Sequence, residues 1–257
     1  MLTQFLTNIA NAIRLKNGKT DPINAQDFAF EIAGIPTNVI TLPDKIVYFN
    51  DFNGREVNKI GAYWEGVKSS STTTIQPSPN DYWVDKRCLV MTDTTMSRAI
   101  RFYSDTAKIL NVNSGFSIGA WIKWTGYDTD NNGYNALIFR VYDGSNSAAE
   151  LTLSRTSHNL GFIGAYTDNT PPLKVDNWYH IACTFSPSAT SGSMDIAFYF
   201  NGIKQHVGTK TINSGISKIF IGTNSALKAG LYGSIKNPFC SEGPLTDAEI
   251  RTMMLMD

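Results

Sequence analysis

Phe116-Ser117-Ile118-Gly119-Ala120-Trp121-Ile122-Lys123-Trp124 sets Phe116, Ile118, Ala120, Ile122 and Trp124 in alternation with Ser117, Gly119, Trp121 and Lys123. A period of two is that of a strand with one face in a core and the other turned away from it. The same rhythm returns at Ile196, Phe198 and Phe200, which alternate with Ala197 and Tyr199. Asn201-Gly202 and then Ile203-Lys-Gln-His-Val207 follow. Asn-Gly between two strand-like runs predicts a hairpin, because a type I′ turn needs positive φ at both central positions. Further strands are expected at 136–141, 150–155, 160–166, 178–185 and 218–222. From Lys45 to Phe239 short alternating runs separated by turn clusters point to a sandwich or barrel. The polar, proline-containing stretch 69–80 reads as a loop or linker.

Composition sets limits on the rest. The chain has 257 residues, 42% of them apolar and 17% charged, which suffices for a core and excludes disorder over most of its length. Lys+Arg and Asp+Glu are both 22, so the basic footprint of a nucleic-acid binder or a polybasic membrane binder is missing. No run of apolar residues is long enough to cross a bilayer as a helix. The first residues lack the basic stretch of a secretory signal, and Cys88, Cys183 and Cys240 are odd in number and without metal spacing. Synthesis in a reducing cytoplasm is therefore expected. Cys183 falls in the alternating run Tyr179, Ile181, Cys183, Phe185, where it reads as a small buried hydrophobe.

Helical patterns lie at the two ends. Leu2, Leu6, Ile9 and Ile13 are spaced as one helix face, with Asn17-Gly18 as a stop. Asn24 is a good N-cap for a second helix, and Ile23 and Phe28 have staple spacing. Residues 1–36 are thus expected to form a helical hairpin, which either packs intramolecularly or serves attachment and oligomerisation. At the other end Thr246-Asp-Ala-Glu249 is a capping box, Leu245 can staple to Ile250, and Met253 and Met254 continue the apolar face.

Two resemblances follow from these residues. Ile9-Ala-Asn-Ala-Ile-Arg14, Gly18-Lys-Thr-Asp-Pro-Ile23, Gln26-Asp-Phe-Ala29 and Glu31-Ile-Ala33 resemble a short helical module of tail and other virion proteins of bacteriophages that infect Gram-positive bacteria. That resemblance implies docking to other virion proteins, or to a second copy of the chain, through residues 1–36. In the body, Phe116-Ser-Ile-Gly-Ala-Trp-Ile-Lys123, Trp178-Tyr-His-Ile-Ala182, 196–202, Ile219-Phe-Ile-Gly222, Gly233-Ser-Ile235 and Pro244-Leu-Thr-Asp-Ala-Glu-Ile250 occur in the order of the laminin-G-like branch of concanavalin A-like jelly rolls. The fold expected is mostly β: a concanavalin A-like, laminin-G-like jelly-roll sandwich over 40–257, preceded by the helical hairpin.

Candidate sites are few. Glycosidases of this architecture need two carboxylates flanking the scissile bond. The six Glu (Glu31, Glu56, Glu65, Glu150, Glu242, Glu249) offer no Glu-x-Asp-x-Glu pattern. There is no Gly-x-Ser-x-Gly elbow and no phosphate loop either, so no catalytic residue is expected and no cofactor is required. Asp128, Asp130 and Asn132, followed by Gly133, match the start of a calcium loop, but its twelfth position is Phe139 rather than a bidentate Glu. A polar hairpin tip accounts for the same residues, while laminin-G-like domains often hold Ca2+ in loops, so a Ca2+ site stays open. Strand parity turns Trp121, Lys123, Trp178, His180 and Tyr199 away from the core, with Lys204 and His206 on the hairpin partner. Aromatic faces with a few polar groups suit sugar rings. These seven residues are the expected carbohydrate-binding face, with coverage by loops as the alternative.

The functional expectation is a phage or prophage virion tail-associated protein whose jelly roll is an exposed adhesion, carbohydrate-binding or decoration module for host recognition. Assembly in the host cytoplasm and release by lysis would place it on virions without an export signal. The alternatives are a bacterial cell-surface or secreted lectin-like protein and a glycan-cleaving enzyme.

Overall fold

The computed structural model describes residues 6–7, 9–10, 23–25, 28, 41–52, 54–61, 63–68, 74–75, 82–83, 88–90, 96–103, 110, 113–126, 136–143, 146–154, 157–163, 170–212, 216–222 and 231–256. The chain divides into two compact units, Met1–Thr41 and Leu42–Asp257. In the first, Leu6, Thr7, Ile9, Ala10 and Phe28 are helical. The expected hairpin as a whole lies outside the described residues.

The second unit is a two-sheet antiparallel sandwich. Its strands are β1 (Ile46–Asn50), β2 (Glu56–Asn58), β3 (Tyr63–Lys68), β4 (Thr74–Ile75), β5 (Tyr82–Trp83), β6 (Cys88–Val90), β7 (Met96–Tyr103) and β8 (Phe116–Trp124). They continue with β9 (Ala136–Asp143), β10 (Asn146–Leu153), β11 (Leu160–Ile163), β12 (Trp178–Pro187), β13 (Ser193–Phe200), β14 (Ile203–Thr211), β15 (Ile216–Ile221) and β16 (Gly233–Glu242). One helix, α1 (Asp247–Leu255), follows. The first sheet runs β14-β13-β12-β8-β16-β1-β2, with β6 also pairing β16 and β5 pairing β6. The second runs β11-β10-β9-β15-β7-β3-β4. Thr74 and Ile75, inside the stretch read as a loop, form β4 against β3.

The alternation that predicted β8 is the physical basis of the core. Ile118, Ile122, Ile181, Cys183, Phe185, Ile196 and Phe198 of the first sheet join Phe139, Val141, Leu151, Ile219 and Ile221 of the second in one buried cluster. Phe116 and Phe185 stack there at 4.2 Å. Each such side chain contributes about 1.5–3 kcal/mol on leaving water. Cys183 is fully buried, as its place in the alternation implied, and burial pushes its thiol pKa up. The Asn201-Gly202 turn has φ of 49° and 72°, the two positive values of type I′. On the far side of the second sheet Arg140 pairs with Glu150 and donates to the Tyr142 hydroxyl at 3.2 Å.

Candidate functional site

The outer face of the first sheet is built by register. Trp178 lies opposite Lys123, His180 opposite Trp121, and Lys236 of β16 on the other side of Trp121. Tyr199 lies opposite Ala182 and is itself flanked by Lys204. Directly paired residues share a face, so six of the seven expected residues stand together. The seventh, His206, is described only by its backbone register. A bulge between Phe198 and Tyr199 pairs His206 with Phe198, a core residue, out of step with Lys204. One extra residue reverses the parity of everything beyond it. The His206 side chain is outside the described residues.

This face is not open along its length, because α1 lies on it. The helix begins with the capping box read from the sequence: Glu249 N donates to Thr246 Oγ1 at 3.2 Å, and Thr246 N donates to Glu249 Oε2 at 2.7 Å. Leu245 and Ile250, the expected staple, are both buried. Side chains of the sheet then fasten the helix. Leu245 N donates to Ser117 Oγ at 2.8 Å, and the Tyr199 hydroxyl donates to Asp247 Oδ1 at 2.7 Å. Lys204 Nζ stands 3.2 Å from Asp247 Oδ1. Bonds from Tyr199 and Lys204 hold the Asp247 carboxyl below its ordinary pKa, while burial, with the bond to Asp247 adding to it, raises that of Tyr199. At the far end of the helix Trp121 Nε1 donates to Met254 O at 3.2 Å, and Asn237 Nδ2 donates to Met256 O.

The helix therefore sorts the expected residues into two groups. His180 and Tyr199 are 1% and 2% exposed, so they form part of the helix seat and not of an open platform. His180 lies edge-on to Trp121, ring centroids 5.5 Å apart, and stacks on Phe239 at 6.2 Å. Neither of its ring nitrogens has a hydrogen-bond partner, and burial lowers its pKa from 6.5 to about 3. It is a neutral imidazole held as packing. Gly119 makes room for this layer: a Cβ there would stand 2.5 Å from the Phe239 ring.

Past the end of α1 the face stays partly open. Trp121, Lys123, Trp178 and Lys236 are each half-buried. Lys123 Nζ lies 5.3 Å from the Trp178 ring centroid. Lys236 Nζ lies 5.6 Å from the Trp178 ring and 5.6 Å from that of Trp121. Two indoles are thus bracketed by two ammonium groups. Sequence reasoning missed Lys236, although the alternation through Gly233-Ser-Ile235 would have placed it outward.

Asp128, Asp130 and Asn132 lie outside the described residues. Among the described residues no group of three His, Cys, Asp or Glu could hold a metal ion.

A two-sheet jelly roll with this strand order and closing helix agrees with the sequence profile that the chain matches. Residues 95–251 match the concanavalin A-like lectin/glucanases superfamily, in its laminin-G-like branch. The chain belongs to that superfamily. No curated protein matches it. Among solved structures, this concanavalin A-like chain is similar to domain 4 of an extracellular arabinanase of Geobacillus stearothermophilus in complex with arabinotriose. The TM-score is 0.52 at 13% identity, covering 82% of this chain and 98% of that one. It is also similar to Trypanosoma rangeli sialidase in complex with sialic acid, with a TM-score of 0.55 at 13% identity. The match covers 99% of this chain but spans only 38% of the sialidase. At these identities the likeness concerns the fold.

Proposed function

We propose that this concanavalin A-like domain is a carbohydrate-binding module, and that it works on a phage or prophage virion as an adhesion or decoration element. The observation that carries the binding reading is the half-buried Trp121–Trp178 pair at the open end of the outer face. An indole offers a sugar ring a flat apolar surface, and neighbouring donors satisfy its hydroxyls. The arabinotriose bound by the similar arabinanase domain supports the same reading. The virion setting rests on the resemblance of residues 1–36 to a phage helical module, which would dock the chain to other virion proteins or to a second copy. Assembly in the host cytoplasm and release by lysis follow from that setting.

Binding is favoured over hydrolysis. Cleavage of a glycosidic bond needs two carboxyl groups about 5–9.5 Å apart across the substrate. The two carboxylates in the first turn of α1 are both engaged, Asp247 by Tyr199 and Lys204 and Glu249 by Thr246 and Lys45. A glycan array probed with the full chain and with Trp178→Ala tests the proposal. Retention of specific glycans by the wild type, and their loss in a variant with an unchanged melt, supports it. Absence of glycan binding, or release of reducing sugar from a bound glycan, overturns it.

A further inference from the structure

His180 stands in a row between the Asn201-Gly202 turn and Trp121. Asn201 N donates to His180 O at 2.7 Å on one side, and Trp121 is the register partner on the other. Met254 of α1 reaches both flanks of this row. Trp121 Nε1 donates to Met254 O at 3.2 Å, and Met254 Sδ would stand 3.0 Å from a Cβ placed on Gly202. The imidazole between them is 1% exposed, and neither ring nitrogen finds a hydrogen-bond partner. Unpaired buried polar atoms cost stability that a solvated ring recovers. The helix that encloses the ring belongs to neither sheet, so it can lift with every strand ladder intact.

The two ends of α1 are held by different means. The first turn carries the Thr246–Glu249 capping box, the Lys45–Glu249 pair and the contacts of Asp247 with Tyr199 and Lys204. The last turn is tied to the sheet by the bonds from Trp121 to Met254 O and from Asn237 to Met256 O, with Met253 and Met256 buried. The titratable and charged groups on the elements packed around the imidazole are Lys123 on β8, Tyr199 on β13, Lys204 on β14, Lys236 on β16, and Asp247, Glu249 and Arg251 on α1. None of them bonds its ring nitrogens. Asp247, held below its ordinary pKa by the bonds from Tyr199 and Lys204, stays ionised at pH 5, so the first turn keeps its grip there. We infer that the C-terminal half of α1 is an acid-released latch, hinged at its first turn, over the Trp121–His180 row. In the lifted state the imidazole meets water and protonates at its ordinary pKa of 6.5, whereas beneath the helix burial defers protonation to about 3. Protons taken up between these values draw the latch open. Lifting frees Trp121 Nε1 and bares His180 two positions along β12 from Trp178, which lengthens the aromatic face. The latch stands on these contacts and holds whether or not the face binds a sugar.

Hydrogen exchange of the full chain tests this without any ligand, because each amide reports the opening that exposes it. The amides of Ile250, Met253, Met254 and Met256 are followed from pH 7.5 to 5.0 beside those of the β8–β12 ladder, with rates corrected for the intrinsic effect of pH. In the wild type the helix amides should be less protected than the ladder at every pH. Their protection should fall about thirtyfold over this range, tenfold for each unit below the ordinary histidine pKa. In His180→Phe it should stay level. The wild-type slope decides by itself should that variant not fold. Helix amides that exchange only together with the ladder show that α1 opens with the whole fold, and overturn the inference. A helix protection that does not change with pH in the wild type, or that falls equally in His180→Phe, overturns it as well.

Discussion

Acidification should destabilise this protein through one residue. In the unfolded chain His180 takes up a proton near its ordinary pKa of 6.5, whereas in the fold burial delays protonation to about 3. Between those values the unfolded state holds one more proton than the native state. Stability is therefore complete above pH 6.5 and falls as the pH drops towards 3, by about 1.36 kcal/mol per pH unit. From pH 7.5 to pH 5.0 the loss is roughly 2 kcal/mol. At pH 5.0 that magnitude barely depends on where below 4 the folded pKa lies, because the native imidazole is neutral in either case. The comparison protein is His180→Phe, which keeps a ring between Trp121 and Phe239 but cannot titrate. Urea unfolding of both proteins between pH 7.5 and 5.0 isolates the histidine, since other titrating groups cancel in the difference. The wild type should lose about 2 kcal/mol relative to the variant over this range. At pH 7.5 the variant should be no less stable, because it also removes two buried nitrogens that lack partners. Parallel pH profiles for the two proteins would refute the reasoning, and would mean that the imidazole is solvated or charged beneath the helix.

Gly119→Ala should cost about 1–3 kcal/mol, because the new Cβ would meet both the Phe239 ring and the Ile181 carbonyl oxygen at 2.5–2.6 Å; an unchanged melting temperature would contradict that packing. Thr246→Ala removes the hydroxyl that caps α1 and should cost about 1 kcal/mol by urea denaturation. Phe198→Ala should cost about 3–5 kcal/mol as a large truncation in the core, and half-buried Trp178→Ala clearly less. Equal losses in a thermal melt would place Trp178 among the core residues.

Much of the fold was legible because local rules and tertiary packing agree. The period-two pattern of β8, the Asn201-Gly202 turn and the Thr246–Glu249 capping box each follow from backbone geometry acting over a few residues. The candidate site was legible only in part, for two physical reasons. Parity gives the face on which a side chain stands but not what covers it, so it left open whether Tyr199 and His180 stand bare or covered, and it is α1 that lies on them. Parity also assumes a regular ladder. The bulge between Phe198 and Tyr199 lies within a run that alternates without a break, and it moved His206 out of step. Lys236 differs from both cases, since simple alternation would have placed it correctly.

The pairing of β1 with β16 has a mechanical meaning. Ile46, where the sandwich begins, lies opposite Ser241, and Ser241 lies opposite Ser117. The Trp178–Lys123 row and Lys236 lie towards the other end of the same strands. A domain tethered through the chain before Ile46 and gripped at that row would be pulled lengthwise along its strands. The hydrogen bonds joining β1 to β16 and β16 to β8 would then share the load side by side and would have to yield together. Reversing the geometry, with tether and grip at one end, would open them one after another like a zip. The strand order thus resists a lengthwise pull better than a pull from one end.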